Sequence, residues 1–312
     1  MLDLGRLRAL HAVATYGSIA AAATALGYTP SAVSQQIAKL EREVRTELLD
    51  RQGRRAALTP AGRLLAEAAR DVLAALEQAE ARLEGQRGVP AGRLVLAAFP
   101  TACRGLLPEV VAELAEQHAE LDIRLWEIDP YRAVDLVVEG EVDVAVVHDW
   151  DNTPLILPGT LRAETVGVDV ADAVLPAGHP LAARAALGVA DLTDERWVSQ
   201  HPGSMCHDWL LRSFAEQGRR PDVAYQVDEY QSQMAVVAAG VGVALVPRLG
   251  RGAVPPGVRV VPLHPATSRR IIAIWRPQST LRPAVAAALA ALRRRWPDPS
   301  PRPGADLTRA AR

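Results

Sequence analysis

Residues 18–51 read SIAAAATALGYTPSAVSQQIAKLEREVRTELLDR, and this stretch constrains the fold more than any other part of the chain. Ser18 offers a hydroxyl acceptor ahead of an alanine-rich run that favours helix, and Gly27-Tyr28 ends that run. Thr29 then caps a second helix with Pro30 at its first position, where a missing N–H removes a donor that has no helical partner anyway. Val33, Ile37, Leu40 and Val44 recur at helical spacing, so one face is apolar and packs inward. Ser31, Ser34, Gln35 and Lys39 fall on the other face. A glutamine can bond adenine through two hydrogen bonds, a serine either base edge, and a lysine the phosphates. The pattern predicts a DNA-reading helix-turn-helix, weighed against a solvated polar face on an ordinary three-helix unit.

The match widens around this segment. Leu7, Leu10 and Val13 of a first helix lead into Gly17-Ser18, Ala21-Ala22 and Leu26; then follow Ser31-Ala32-Val33-Ser34-Gln35-Gln36-Ile37, Leu40-Glu41, Leu48, Arg51, Leu58-Thr59 and Ala61-Gly62. On these residues the chain resembles the winged helix-turn-helix of the LysR-type transcriptional regulators. Two positions depart from that pattern: Arg45 stands where the family usually has glycine after the recognition helix, and Leu49 where it usually has phenylalanine before the arginine. Neither lies on the reading face. The expected DNA-contacting set is Thr29, Pro30, Ser31, Ser34, Gln35 and Lys39, joined by Arg51, Arg54 and Arg55. Those three arginines form a cationic cluster between two expected wing strands, where they can grip the backbone or enter a minor groove.

Charge and length fit a two-part protein. The chain has 312 residues and a formal net charge of −1, which is unusual for a DNA binder until it is divided. Residues 1–95 hold 13 Lys+Arg against 10 Asp+Glu, so the basic bias sits on the segment that needs it. No charged-then-apolar leader and no apolar run of membrane-spanning length are present, which predicts a cytoplasmic protein with no membrane partner. Cys103 and Cys206 form no CxxC pair, so neither a disulfide framework nor a structural zinc site is expected.

From Pro60 to residue 87 the chain lacks any further proline and is dense in Ala, Leu, Glu and Arg, which predicts one long helix. Leu65, Val72 and Ala79 repeat every seven, with Ala68, Ala75, Leu76 and Leu83 beside them, a stripe suited to a partner helix. In the family this helix pairs two subunits and sets two recognition helices on a dyad-symmetric operator. The glycines of residues 85–92 then break it and read as a hinge.

Beyond the hinge, short apolar runs alternate with helical stretches, which predicts α/β architecture with a mostly parallel sheet. Segments 140–147, 178–182 and 237–247 resemble those of the family's effector domain, so the likeness extends to about Trp296. The expected organisation is a winged helix-turn-helix over 1–59, a linker helix over 60–87, a hinge over 88–92, and a two-lobed effector domain, similar to periplasmic binding proteins, over 93–296. Lobe I takes 93–163 and 264–296, lobe II 164–263. A disordered tail is expected over 297–312.

Ligands of open α/β sheets lie at the C-terminal ends of strands. That places the expected effector contacts at Thr101, Ala102 and Cys103 after the first strand, and at Ser199, Gln200, His201 and Ser204 in the second lobe, the turns at which the family also places them. The geometry suits a small anion, although no Arg or Lys is compelled into the cleft. No metal or other cofactor is expected, only an unidentified small-molecule effector.

Three rival readings stand beside this one. Cys103 and Cys206 each follow one of the two turns, so they could face each other as a redox pair or, with His201 or His207, as a metal trap. A solute-binding protein could use residues 93–296 alone, but would have no use for the first 60. Cys206-His207-Asp208 and Ser204 cannot form a catalytic relay, because neighbours on one helix point apart, and Gly240-Val241-Gly242 lacks the third glycine of a dinucleotide fingerprint. The reading that results is not an enzyme but a sequence-specific DNA-binding regulator. The resemblance further implies a dimer or tetramer on an interrupted palindrome, switched by its effector and in contact with RNA polymerase.

Overall fold

The computed structural model describes residues 2–50 and 57–296, in two compact units that divide between Arg87 and Gly88. Arg51, Arg54, Arg55 and the tail 297–312 lie outside the described residues.

The first unit runs α1 (Leu4–Tyr16), α2 (Ile19–Leu26), α3 (Pro30–Val44), β1 (Leu49–Asp50), β2 (Ala57–Leu58) and α4 (Pro60–Arg87). Each short helix is capped locally. Asp3 accepts from the Arg6 amide, Ser18 from Ala21 at 3.1 Å and Thr29 from Ala32 at 3.2 Å, each satisfying a donor the helix cannot. Val33, Ile37 and Leu40 are buried, and Leu7 and Leu10 pack with Leu40, Leu48, Ala66 and Ala69. The Glu41 carboxylate accepts from the amides of Leu48 and Leu49, tying the end of α3 to β1. On α4, Ala66 and Ala69 face inward, whereas Leu64, Val72 and Leu83 are exposed. Gly85 lies inside α4, not in a break; the helix ends at Arg87, before Gly88 turns left-handed at φ 69°.

In the second unit the elements are β3 (Gly92–Ala98), α5 (Pro100–Gly105), α6 (Leu107–Gln117), β4 (Leu121–Glu127), α7 (Pro130–Glu139), β5 (Val144–Trp150), β6 (Arg162–Pro176), β7 (Arg196–Ser199), α8 (Met205–Ala215), β8 (Asp222–Gln226), α9 (Tyr230–Ala238), β9 (Ala244–Pro247), β10 (Val258–Trp275) and α10 (Pro283–Arg295). A six-stranded sheet has the order β4-β3-β5-β10-β6-β9, and β7 pairs with β8 beside it. The expected parallel sheet is only partly found. β3 is parallel to β4 and β5, but β10 is antiparallel to both β5 and β6, and β6 to β9. The reason is the crossing strands: β6 and β10, of 15 and 18 residues, serve both lobes and lie side by side in opposite directions.

Alternation on the sheet builds two cores. Leu94, Leu96, Val144, Val146, Ile271 and Ala273 pack under α6 and α10, while Val95, Ala97, Ala145, Val147, Ile272 and Ile274 pack under α7. Lobe II closes around Trp197, Met205, Trp209 and Phe214. The apolar pattern after the first strand predicts a single helix. The chain breaks instead at Leu106 into α5 and α6, with Pro108 in the first turn of the second. Among the described residues no helix is long and apolar enough to cross a membrane.

Arg45 closes α3 at φ 53°, the one non-glycine with positive φ among the described residues. The left-handed conformation costs an L-residue about 1–2 kcal/mol, against roughly 0.5–1 kcal/mol of extra chain entropy for glycine. Arg45→Gly is therefore expected to stabilise the chain by about 0.5–1 kcal/mol. Urea unfolding followed by circular dichroism checks this, and a lowered midpoint would refute it.

Candidate functional site

The α3 surface is built by its own periodicity. With Val33, Ile37 and Leu40 buried, Ser31, Ser34, Gln35 and Lys39 are left exposed together, beside Thr29 and Pro30 at the helix start. The Thr29 hydroxyl lies 3.0 Å from that of Ser31 while capping the helix. The side chains of Ser31, Ser34, Gln35 and Lys39 thus have no inward task and face solvent, where base edges and phosphates could meet them.

A cavity of about 190 Å³ lies between the lobes of the second unit. Thr101, Gln200, His201 and Ser204, four of the expected contacts, line it. Ser199 lines instead a smaller chamber of about 20 Å³, with room for roughly one water, which shares Gln200, Cys206 and Tyr230 with the larger one. Ala102 and Cys103 line neither: both pack into the lobe I core, and the Cys103 thiol donates to the Ala98 carbonyl at 3.3 Å.

Reading the sequence missed a charged group in the cavity wall. Arg269 is fully buried on β10, directly across the ladder from Asp169 on β6. Its Nε and Nη2 donate to one Asp169 oxygen at 3.0 and 2.8 Å, and Nη2 donates to the Thr101 hydroxyl at 2.7 Å. Its guanidinium lies over the rings of Phe99 and Trp150, while Nη1 is buried without a hydrogen-bond partner. The absence of a compelled cation in the cleft is therefore corrected. Ser268-Arg269-Arg270 gave no sign of which arginine turns inward; only the period of two in a strand decides it. His148 sits beside Arg269, and burial, helped by that positive charge, pushes its pKa well below 6.5, so its ring is neutral.

The cavity mouth is acidic. Glu127, Asp129 and Asp228 line it, with His201 held against Asp228 at 2.6 Å. Asp129 accepts from the Tyr131 amide at 3.0 Å, capping α7, and reaches the Met205 amide of the other lobe at 3.5 Å. Burial raises its pKa. Tyr131 also donates to Asp208 of lobe II at 3.0 Å, and Arg104 pairs with Glu229, so several polar contacts join the lobes at this side. Ser204 caps α8 through its hydroxyl, which accepts from the His207 amide.

The two thiols are not placed as a pair. Cys103 belongs to the lobe I core, and burial raises its pKa to about 12. Cys206 lines the cavity, where the Tyr230 hydroxyl donates to its sulfur at 3.1 Å; burial raises its pKa also. Among the described residues no group of three His, Cys, Asp and Glu is placed as metal ligands would be. His207 Nδ1 is engaged with the Gln200 carbonyl at 3.0 Å.

An outward polar face on a helix-turn-helix and a two-lobed module around a polar cavity define a ligand-responsive DNA-binding protein. The profile of the bacterial regulatory helix-turn-helix of the lysR family matches residues 4–63, and that of the LysR substrate binding domain matches residues 87–297. The chain belongs to the LysR family of transcriptional regulators. It is 28% identical to the regulator TtuA of Agrobacterium vitis, over 84% of this chain and 86% of that protein. With the regulator AlsR of Bacillus subtilis the identity is 30%, over 79% and 80% of the two chains. Its fold is similar to that of a full-length OxyR variant from Pseudomonas aeruginosa, with a TM-score of 0.65, 19% identity, and 94% and 98% of the chains covered.

The hydrogen bond to Asp228 raises the pKa of His201 above 6.5. The folded form therefore holds this proton more tightly than the unfolded chain does. The pair's contribution is fully present below the unfolded histidine value and is lost as pH rises through the folded one. NMR titration is expected to place His201 above 6.5, and Asp228→Asn to return it toward 6.5. An unchanged value in the variant would remove Asp228 as the cause.

Proposed function

We propose that this regulator reads an interrupted palindrome through α3 as a homodimer or a tetramer of two dimers, and takes its signal from a small molecule held in the cavity between its lobes. The observation that carries this is the presence in one chain of an uncovered polar face on α3 and an open cavity between the lobes, lined by charged and polar side chains, with one guanidinium nitrogen of Arg269 unsatisfied. The exposed Leu64, Val72 and Leu83 of α4 support pairing with a second copy, since burying them removes apolar surface from water. Two recognition helices then enter successive major grooves about one helical turn apart. Ligand binding favours one arrangement of the lobes over the other, and that population shift is passed to the DNA and to RNA polymerase in the cytoplasm. Thr29, Pro30, Ser31, Ser34, Gln35 and Lys39 serve the DNA; Thr101, Gln200, His201, Ser204 and Arg269 serve the effector.

Selection of bound duplexes from a random library, followed by affinity at several salt concentrations, tests this reading. The expected result is an interrupted palindrome bound well above random DNA with a steep salt slope. No enrichment would overturn it. On the selected site Gln35→Ala is expected to lose about 1–3 kcal/mol and relax base preference, while Lys39→Ala weakens all sequences alike. Equal losses on specific and random DNA for Gln35→Ala would remove its reading role.

The placement of the thiols gives little support to a Cys103–Cys206 redox switch. Both are expected to alkylate slowly at neutral pH, because the protonated thiol is the poor nucleophile. Intact mass after oxidant treatment is expected to show no loss of two hydrogens, and an internal disulfide would reinstate the switch.

A further inference from the structure

Two groups of opposite charge line the cavity with hydrogen-bonding capacity left over, Nη1 of Arg269 and the carboxylate of Glu127. At its inner end, Asp169 and Thr101 engage Nε and Nη2 of Arg269 and leave Nη1 unsatisfied. At its mouth, the carboxylate of the exposed Glu127 makes no hydrogen bond or ion pair among the described residues. The geometry points to a small amino-carboxylate as the molecule this cavity takes, its carboxylate against Arg269 and its ammonium against Glu127. This rests on the cavity being the effector site.

The inner end is rich in donors. Nη1 lacks an acceptor, and a buried donor left unsatisfied is unfavourable until a ligand oxygen reaches it. The Thr101 hydroxyl accepts from Nη2, so its own hydrogen is free to point to the same ligand oxygens. Asp169 balances the charge of Arg269 but takes none of the hydrogen bonding of Nη1, which leaves a neutral pair with one strong donor unused.

The mouth has the opposite character. Asp228 is matched by His201, and Asp129 accepts backbone amides, so Glu127 is the carboxylate left for a ligand. A diacid of cavity length would bring its second carboxylate toward Glu127 and Asp129, and like charges repel. A plain acid would leave Glu127 facing an apolar tail. An ammonium at that end complements it. Specificity then comes from both ends, the inner by hydrogen bonding and the outer by charge.

Isothermal titration of the full chain with L-alanine, 3-aminopropanoate and 4-aminobutanoate, each beside the plain acid and the diacid of equal carbon number, tests the assignment. At least one amino acid is expected to bind tenfold or more tightly than both of its counterparts. Glu127→Gln, an exposed substitution that leaves the fold intact, is expected to erase that preference while the plain acids bind as before. Equal or tighter binding of plain acids or diacids, a preference that survives Glu127→Gln, or no binding by any member would overturn it. Thr101→Val, its fold checked by retained DNA binding, separates this failure from that of the cavity reading. If ligands that bind the parent chain bind the variant equally, they sit elsewhere and the cavity reading falls as well. If Thr101→Val abolishes binding but no amino preference exists, only the ligand class falls.

Discussion

The buried pairing of Arg269 with Asp169 is the constraint on which the second unit is arranged. A guanidinium with no exposed surface is tolerable only when a charge and hydrogen bonds meet it, and Asp169 on the adjacent strand and Thr101 on α5 do so. The pair fixes the register of β6 against β10 at the level of the cavity floor. It also holds the start of α5 over the end of the sheet, since Thr101 reaches the guanidinium across 168 positions of sequence. Removing Asp169 alone would leave an uncompensated buried cation, far worse than removing both partners together.

The first unit solves a different problem with local means. Its first three helices are short, and short helices are marginal alone, so each begins at a side chain that takes up a free amide and ends at a left-handed residue. The apolar side of α3 fills the centre of the bundle. What the bundle does not use is therefore presented outward as one polar strip. The same partition that folds the unit leaves this strip exposed, which is why spacing alone shows which side chains of α3 face outward.

That difference explains what could be read from the chain. Ser18, Thr29 and Pro30 act within three residues of themselves, so the helix starts were legible, as was the run of α4. The crossing strands were not. β6 and β10 are continuously apolar only near their ends, at Ala173 to Leu175 and Ile271 to Trp275, because the rest carries Asp169, Asp172, Pro262 and Arg269. Those residues look like loop when partners are unknown. Asp172 is in fact met by Arg248 and Arg251, and Asp169 by Arg269, all contacts between distant segments. Strand direction was lost for the same reason, since antiparallel pairing of β10 with β5 and β6 leaves no local trace. Of the cavity, the two turns were legible and the guanidinium between them was not. Cys103 and Cys206 hold equivalent places in the chain, yet one thiol turns into a core and the other to the cavity.

The crossing strands are joined by backbone hydrogen bonds along most of their length, and they are not a loop. Such a connection behaves as a leaf spring: it bends by sharing small dihedral changes among many residues, where a loop would concentrate them in two or three. The lobes also touch directly, at Tyr131 with Asp208 and Arg104 with Glu229, so any movement of one against the other has to break these contacts as well as bend the strands. Under the effector reading proposed above, a molecule between the lobes would have to work against both the paired strands and these contacts, which spreads its effect over the whole second unit.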